Sequence, residues 1–312
     1  MRLTWVVGDH GLLGSALVGA VPPGTTMYQT RFRFRWADPA VLHDQLKRAA
    51  EGFASAAQGA DAWSLYWAAG VGTMQSDASS MAVETAALQV LLSQLDSSAV
   101  LRRCPGRFML ASSAGAIYAG SRDALISENS QTAPTTHYAQ AKLQQEQLVS
   151  DCARHHPGMA VLAARYSTLY GQRQAAGKPQ GLLTHISRQV LRGLPVRIYV
   201  PLDTIRDYLE VNDAARATVA ALEQILPGAA LTKIIAAERP TTISEIMAVF
   251  RRVSPRPPKI VTSTTRASAF YARRIQFRSS LRPDLRSCYR TSLLVGIAGL
   301  FEAERKRYAA AG

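Results

Sequence analysis

Tyr138 and Lys142, with Ala139-Gln140-Ala141 between them, are the pair in this chain best suited to moving a proton. On a helix a four-residue step puts two side chains on one face, about one turn apart. A phenol is protonated at neutral pH, and a neighbouring ammonium favours its phenolate, so the two together can serve as general acid and base. Ser113, at the end of an apolar run, is placed to hold the substrate oxygen that exchanges a proton with Tyr138. Tyr and Lys at this spacing also occur on ordinary solvated helices. The elements around them must decide.

Near the start, Val6-Val7-Gly8-Asp9-His10-Gly11-Leu12-Leu13-Gly14-Ser15 runs an apolar segment into glycines three apart. A strand that turns through small residues into a helix leaves backbone N–H groups free at the positive end of the helix dipole, where a pyrophosphate can sit. Glycine allows backbone to approach phosphate closely and permits positive φ. Glycine loops also cap plain helices. Here the turn follows a strand and precedes Ser15-Ala16-Leu17-Val18, which continues as helix, and that context points to a dinucleotide.

The rest of the chain supplies the expected frame. Short apolar strands are predicted at 3–7, 25–30, 62–68, 107–111 and 160–164, alternating with helices at 12–20, from Pro39, at 79–95 and at 136–154. Asp38 before Pro39 is a candidate cap. Such alternation predicts an α/β fold, a Rossmann-type doubly wound parallel sheet whose crevice lies beyond the carboxyl ends of the strands. The glycine turn, Ala68-Ala69-Gly70 and Ser112-Ser113 all fall at those ends and should converge. Beyond residue 172, Gly and Pro punctuation increases, at Gly177, Pro179, Pro195, Pro201, Pro227 and Pro255. The division expected is a nucleotide-binding domain over 1–172, joined again by 202–226. A smaller, mixed C-terminal substrate lobe takes 173–201 and 227–312.

Composition narrows the class. The 312 residues are 47% apolar, enough for a cooperative core, and no apolar run is long enough for a membrane helix. Asp9 and His10 interrupt the first apolar stretch, which argues against a secretory signal. Cys104, Cys152 and Cys288 are scattered, without metal-ligand spacing, which fits a reducing cytoplasm and no metal site. Lys and Arg outnumber Asp and Glu by 36 to 22, a net charge of +14, with much of the excess after residue 250. No helix-turn-helix, zinc-finger or RNA-binding motif accompanies that charge, so a polyanionic small substrate is expected rather than nucleic acid or a membrane.

Two late segments complete an ordered set: Arg165-Tyr166-Ser167-Thr168-Leu169-Tyr170-Gly171 and Arg206-Asp207-Tyr208-Leu209-Glu210-Val211-Asn212-Asp213. Together with the glycine turn, Ser112-Ser113 and Tyr138…Lys142, and with Tyr289-Arg290-Thr291-Ser292-Leu293 further on, the chain resembles the extended short-chain dehydrogenase/reductases. Within them it is most similar to the NAD(P)-dependent epimerase/dehydratase group that acts on nucleotide sugars. The resemblance implies Ser113, Tyr138 and Lys142 as catalytic residues, Ser113 standing 25 positions before Tyr138. It implies cofactor contacts from Gly8, His10, Gly11, Leu12, Leu13 and Gly14, from Ala68, Ala69 and Gly70, and from Tyr138, Lys142 and Tyr166. Substrate contacts fall to Ser112, Ser113, Thr168 and Arg206, the last suited to a diphosphate by its guanidinium fork.

This chain also departs from the family pattern. Glu84 stands where the family usually carries Asn, which puts a proton relay through that helix in doubt. Ala114-Gly115 replaces the acidic pair of the dehydratases, so dehydration is disfavoured. Where NAD-preferring members end the second strand with an acid, Arg31 stands, followed by Arg33, Arg35 and Trp36. A guanidinium pairs with a 2′-phosphate that a carboxylate would repel, so NADP(H) is expected over NAD(H), with Trp36 stacked on adenine. The alternative reading takes these arginines as solvent-facing side chains on an alternating segment. The expected activity is nucleotide-sugar epimerisation. Reduction of a nucleotide 4-keto sugar by NADPH is the alternative, and a non-catalytic NADP-binding regulator the third reading. A homodimer through the helices at 80–95 and after Tyr138 is expected too, unless their apolar stripes are buried within one protomer.

Overall fold

The computed structural model describes residues 1–172, 181–263 and 273–310. Its strands in chain order are β1 (Arg2–Val7), β2 (Thr26–Tyr28), β3 (Ala62–Trp67), β4 (Gly106–Ser113), β5 (Met159–Tyr166) and β6 (Thr168–Tyr170). They continue with β7 (Val196–Ile198), β8 (Ile205–Glu210), β9 (Ala230–Ile235), β10 (Pro240–Thr242) and β11 (Ile260–Thr262). The helices of the first half are α1 (Leu12–Ala20), α2 (Pro39–Ala56), α3 (Ala78–Ser97), α4 (Ala99–Arg103), α5 (Ala114–Ile117) and α6 (His137–His155). The later ones are α7 (Leu182–Leu191), α8 (Val211–Glu223), α9 (Ile243–Val253) and α10 (Leu293–Ala310).

The main sheet has six parallel strands in the order β2-β1-β3-β4-β5-β9. Its two faces follow from period-two alternation along strands buried on both sides. Leu3, Trp5 and Val7 of β1, with Met159 and Val161 of β5, join the apolar face of α2 and α3. Val6, Ala160, Leu162, Ala164 and Tyr166 face the other way, against α1 and α8. The chain leaves β1 for β2 on one side and returns to β3 on the other. That reversal opens the crevice at the carboxyl ends of β1 and β3.

Caps fix where the helices begin. Asp38 accepts from the Val41 N–H ahead of α2 at 3.2 Å, and Asp77 from the Ser80 N–H ahead of α3 at 2.8 Å. Thr136 accepts from the Ala139 N–H at 3.2 Å, so α6 starts one residue before Tyr138. Leu88, Leu91, Leu92 and Leu95, the α3 stripe offered for a dimer, are buried within the protomer.

Two expectations are corrected. The second strand ends at Tyr28 rather than Thr30, because Phe32, Phe34 and Trp36 turn back onto the core and carry the chain out of the sheet. The Arg33 and Arg35 backbone is pinned there by Gln45 of α2, at 3.1 and 2.8 Å. The lobe boundary also shifts. β9, assigned to the substrate lobe by the 227–312 division, is the sixth strand of the main sheet, paired with β5. β8, which the 202–226 division returns to the nucleotide domain, instead centres a mixed three-stranded sheet β10-β8-β6. α7, α9 and α10 pack with Tyr170, Ile198 and Tyr208 into a separate apolar cluster that forms the smaller lobe. Gly177 and Pro179 lie outside the described residues.

Candidate active site

Backbone contact shapes the glycine turn. Gly8 has φ +91°, and a Cβ there would lie 2.8 Å from the Ala68 carbonyl oxygen of the neighbouring strand end. At Gly14 a Cβ would stand only 2.0 Å from the Gly8 carbonyl, so helix α1 can reach the strand only with glycine at that point. Gly11 precedes α1 without any side-chain cap, and its own N–H closes the turn onto Gly8 O at 2.9 Å. Leu12 and Leu13 pack against the α1–α8 core, which orients this helix end. Beside the turn lies a cavity of about 550 Å³ lined by Gly8, His10, Arg31, Arg33, Phe34 and Trp36. That volume is within the range of about 300–1,000 Å³ typical of small-molecule sites. These residues fit a dinucleotide: an uncapped helix N-terminus, backbone with no room for a side chain, cations and an aromatic ring in one hollow. Trp36 also meets Trp67 edge-on, with centroids 6.2 Å apart. Arg35 is exposed and does not line the cavity.

At the carboxyl ends of β3 and β4 the acid/base group assembles. Ser113 caps α5, accepting from the Ala116 N–H at 3.3 Å, and its hydroxyl sits close enough to the Tyr138 phenol to draw that phenol's pKa down. The Lys142 ammonium lies 5.6 Å from the centroid of the Tyr138 ring and donates to Gln145 Oε1 at 3.0 Å. Gln145 in turn donates to Thr85 Oγ1 at 3.3 Å. Ser113, Tyr138 and Lys142 are therefore together, as expected from the sequence.

Their electrostatics differ from expectation. Burial, with the Glu84 carboxylate adding to it, pushes the Tyr138 phenol up to about 12, and only the Ser113 hydroxyl pulls it back. Burial holds the Lys142 ammonium below the usual lysine range, opposed by the charges of Glu84 and Glu146. The phenol of the free protein is thus more firmly protonated than an exposed tyrosine. The expected lowering by Lys142 is not its resting state.

Sequence reasoning left Glu84 as a doubtful substitution, and the structure gives it a definite place. Its Oε1 accepts from the N–H groups of both Val71 and Gly72, each at 2.5 Å. This carboxylate ties the loop after Ala68-Ala69-Gly70 to α3. The nearest signal in the sequence was the departure itself, an acid where an amide is usual.

A second hollow, of about 180 Å³, is lined by Ser113 together with Met74, Ser167, Thr168, Arg206 and Phe277. Thr168 and Arg206 stand where substrate contacts were expected, with Arg206 Nη1 donating to the Ile205 carbonyl at 2.7 Å. Asp207, which also lines this hollow, was not singled out. Burial raises its carboxyl to about 6, against hydrogen bonds from the N–H groups of Ala237 and Arg239. The two backbone bonds measure 2.8 and 3.0 Å.

Two expected contacts lie elsewhere. Ser112 faces the opposite side of β4 from Ser113 and donates to Glu146 Oε1 at 2.5 Å, inside a buried cluster. There Arg165 binds Glu146 at 2.6 and 2.9 Å and Tyr118 at 2.5 Å. Tyr166 points under the sheet toward α8, its hydroxyl 2.7 Å from Thr218 Oγ1. The strand pleat explains both, because adjacent residues of one strand point to opposite faces. Both are structural residues rather than contacts of the crevice.

Comparison with known proteins agrees with this geometry. Residues 5–232 match the NAD dependent epimerase/dehydratase family, and the chain belongs to it. It is 26% identical over 145 residues to the UDP-glucuronate 4-epimerase of Thermodesulfobacterium geofontis, covering 46% of this chain and 43% of that protein. It is also 26% identical over 117 residues to the dTDP-4-dehydro-6-deoxyglucose reductase of Escherichia coli, covering 38% of this chain and 36% of that one. The matched stretches thus span less than half the length of these curated relatives. In fold the chain is similar to RMD from Pseudomonas aeruginosa complexed with NADPH, with a TM-score of 0.76 at 21% identity over 98% of this chain and all of that one. Structures of this fold hold NAD in some cases and NADPH in others. Among the described residues no cluster could hold a metal ion, and no helix is long and apolar enough to cross a membrane.

Proposed function

We propose that this protein epimerises a carbon of a nucleotide sugar, using a bound nicotinamide dinucleotide and Tyr138 as the acid/base. The observation that carries this is the position of Ser113. One hydroxyl both contacts Tyr138 and lines the hollow that runs to Thr168 and Arg206. When bound, the cofactor supplies hydride acceptance and return. In the loaded site Tyr138 acts as the phenolate, its own proton having been released to solvent. Its Oη takes the proton of the sugar hydroxyl as that carbon is oxidised, and gives it back when the turned keto sugar is reduced on its other face. Ser113 Oγ orients the same sugar oxygen. Lys142, one helical turn from Tyr138, holds the nicotinamide ribose and offsets charge on the phenolate. Arg206, at the far side of the hollow, takes the diphosphate.

Net reduction of a keto sugar by NADPH uses the same residues, and a specific observation favours it as the second reading. Arg31 and Arg33 both line the dinucleotide cavity, and guanidinium groups there suit the 2′-phosphate of NADP(H). A homodimer and a cytoplasmic location belong to the same proposal. Light scattering that returns one protomer mass removes the dimer from it.

The deciding experiment incubates the purified protein with a panel of nucleotide sugars and their 4-keto derivatives. NADPH absorbance and product stereochemistry are followed together. Inversion at one carbon without net cofactor consumption supports epimerisation, and stoichiometric NADPH loss supports reduction. Tight dinucleotide binding without turnover of any sugar in the panel leaves a regulator as the better description.

A further inference from the structure

The buried side chain least explained by that chemistry is Glu84. It leaves α3, is almost wholly buried at 5% exposure, and meets the loop at the carboxyl end of β3. That loop is built around it. Gly70 has φ +146°, and a Cβ there would lie 3.0 Å from Glu84 Oε2. A Cβ on Gly72 would lie 3.1 Å from Cδ2 of Tyr138. Carboxylate, loop and catalytic ring therefore form one continuous contact, at the edge of the crevice a nicotinamide must enter.

We infer that Glu84 is a positioning residue that biases the bound dinucleotide toward its oxidised form, through a fixed negative charge held against the Gly70–Gly72 loop beside Tyr138. This rests on the cofactor reading above and deepens it. The oxidised nicotinamide ring is a cation and the reduced ring is neutral, so an immobile anion nearby stabilises only the first. Neighbouring groups are the same in the wild type and in a variant that lacks this charge, so its effect is read as a difference between the two. Gln145 and Thr85 are uncharged. Glu146 is committed to Arg165 and Ser112. Among the described residues the Lys142 ammonium, bonded to Gln145, is the cation facing this pocket from α6, and it opposes the Glu84 charge. Removing the Glu84 charge leaves it uncompensated, which disfavours a cationic ring further. An enzyme that rests with oxidised cofactor begins its cycle by taking hydride from the sugar. Glu84 therefore inclines this chain toward epimerisation over net reduction.

The test needs no sugar. Dissociation constants for NADP⁺, NADPH, NAD⁺ and NADH are measured by calorimetry and nicotinamide fluorescence on the wild type and on Glu84→Gln. Glutamine keeps a carbonyl oxygen for the Val71 and Gly72 N–H groups and loses only the charge. A unit charge within about 10 Å, at an effective dielectric near 20, corresponds to roughly tenfold in a binding ratio. The wild type is expected to bind the oxidised form of its preferred cofactor more tightly, and the variant to lose about tenfold of that preference. A loop merely loosened would weaken both forms alike and leave the ratio unchanged, which would overturn the inference. Tighter binding of the reduced form by the wild type overturns it without any variant. An unchanged ratio in a protein that still binds dinucleotide leaves the cofactor reading standing, whereas binding of no dinucleotide at all removes both.

Discussion

Replacing Tyr138 by Phe isolates one hydroxyl from everything else at the site. The ring stays, and with it the packing against Gly72 and the Lys142 ammonium 5.6 Å from its centroid. What is lost inside the protein is the polar contact of the phenol with Ser113. A neutral contact of this kind contributes up to about 1 kcal/mol, equivalent to a melting shift of about 1–2 °C in a chain of this length. Ser113 keeps its contact with the Ala116 N–H, so α5 stays capped. The catalytic loss is of another order. General acid–base catalysis by a positioned group contributes about 10²–10⁴-fold, and among the described residues no second phenol hydrogen-bonds Ser113 to replace it. The assay compares kcat on the sugar identified from the panel with the dinucleotide dissociation constant of the same preparation. The expected outcome is kcat down by at least about a hundredfold, with the dissociation constant within about threefold of wild type, since the change amounts to one neutral contact. A variant that turns over within tenfold of the wild type would show that the proton travels by another route, and the acid/base assignment would have to be withdrawn.

Three other perturbations probe separate parts of the fold. The double change Arg31→Ala and Arg33→Ala should weaken NADP(H) by tenfold or more, because each charged hydrogen bond is worth about 1.5–3 kcal/mol. NAD(H) affinity should barely move, and equal weakening of both refutes a 2′-phosphate site. Gly14→Ala places a methyl group 2.0 Å from the Gly8 carbonyl, so α1 must shift. Overpacking of this sort costs about 1–3 kcal/mol, and denaturant unfolding together with a dinucleotide titration should show lower stability and much weaker binding; an unaltered titration refutes the assigned turn. Asp207 gives a signed pH dependence. Its folded carboxyl is raised to about 6 from an ordinary 3.8, so its stabilising contribution is complete below about pH 4 and is lost as pH rises through about 6. The difference in unfolding free energy between wild type and Asp207→Asn should change by up to about 3 kcal/mol between pH 4 and 7.5, against the wild type at the higher pH. Parallel curves for the two proteins across that range refute the raised carboxyl.

The sequence carried information about backbone more fully than about side-chain direction, and the reason is physical. Glycines at positions 8, 11 and 14 are legible because only one residue type tolerates the close approach of Gly14 to Gly8. Tyr138 and Lys142 are legible because helical periodicity fixes their common face once Thr136 caps α6. Ser112 and Tyr166 misled because a strand end reverses direction with every residue, and a one-residue ambiguity sends a side chain to the opposite face. Arg31 and Trp36 line the cavity beside the glycine turn although the expectation rested on a longer strand, whereas Arg35, expected with them, does not. The alternation survives there because Phe32, Phe34 and Trp36 are drawn onto the core, although no ladder pairs the segment beyond Tyr28. β9 was assigned to the wrong lobe because edge pairing with β5 joins residues distant in sequence, which no local pattern records. Asp207 and Glu84 were hidden for a further reason. An acid in a sequence reads as solvated, and only the tertiary structure shows each one buried on two backbone N–H groups. Two backbone bonds do not offset burial at Asp207, whose carboxyl still rises. At Glu84 two short backbone bonds and the nearby Lys142 ammonium face the carboxylate, and its charge is felt by Tyr138. Burial, with that charge added to it, keeps the Tyr138 phenol protonated in the free protein, so the acid/base role proposed for it requires a loaded site that favours the phenolate.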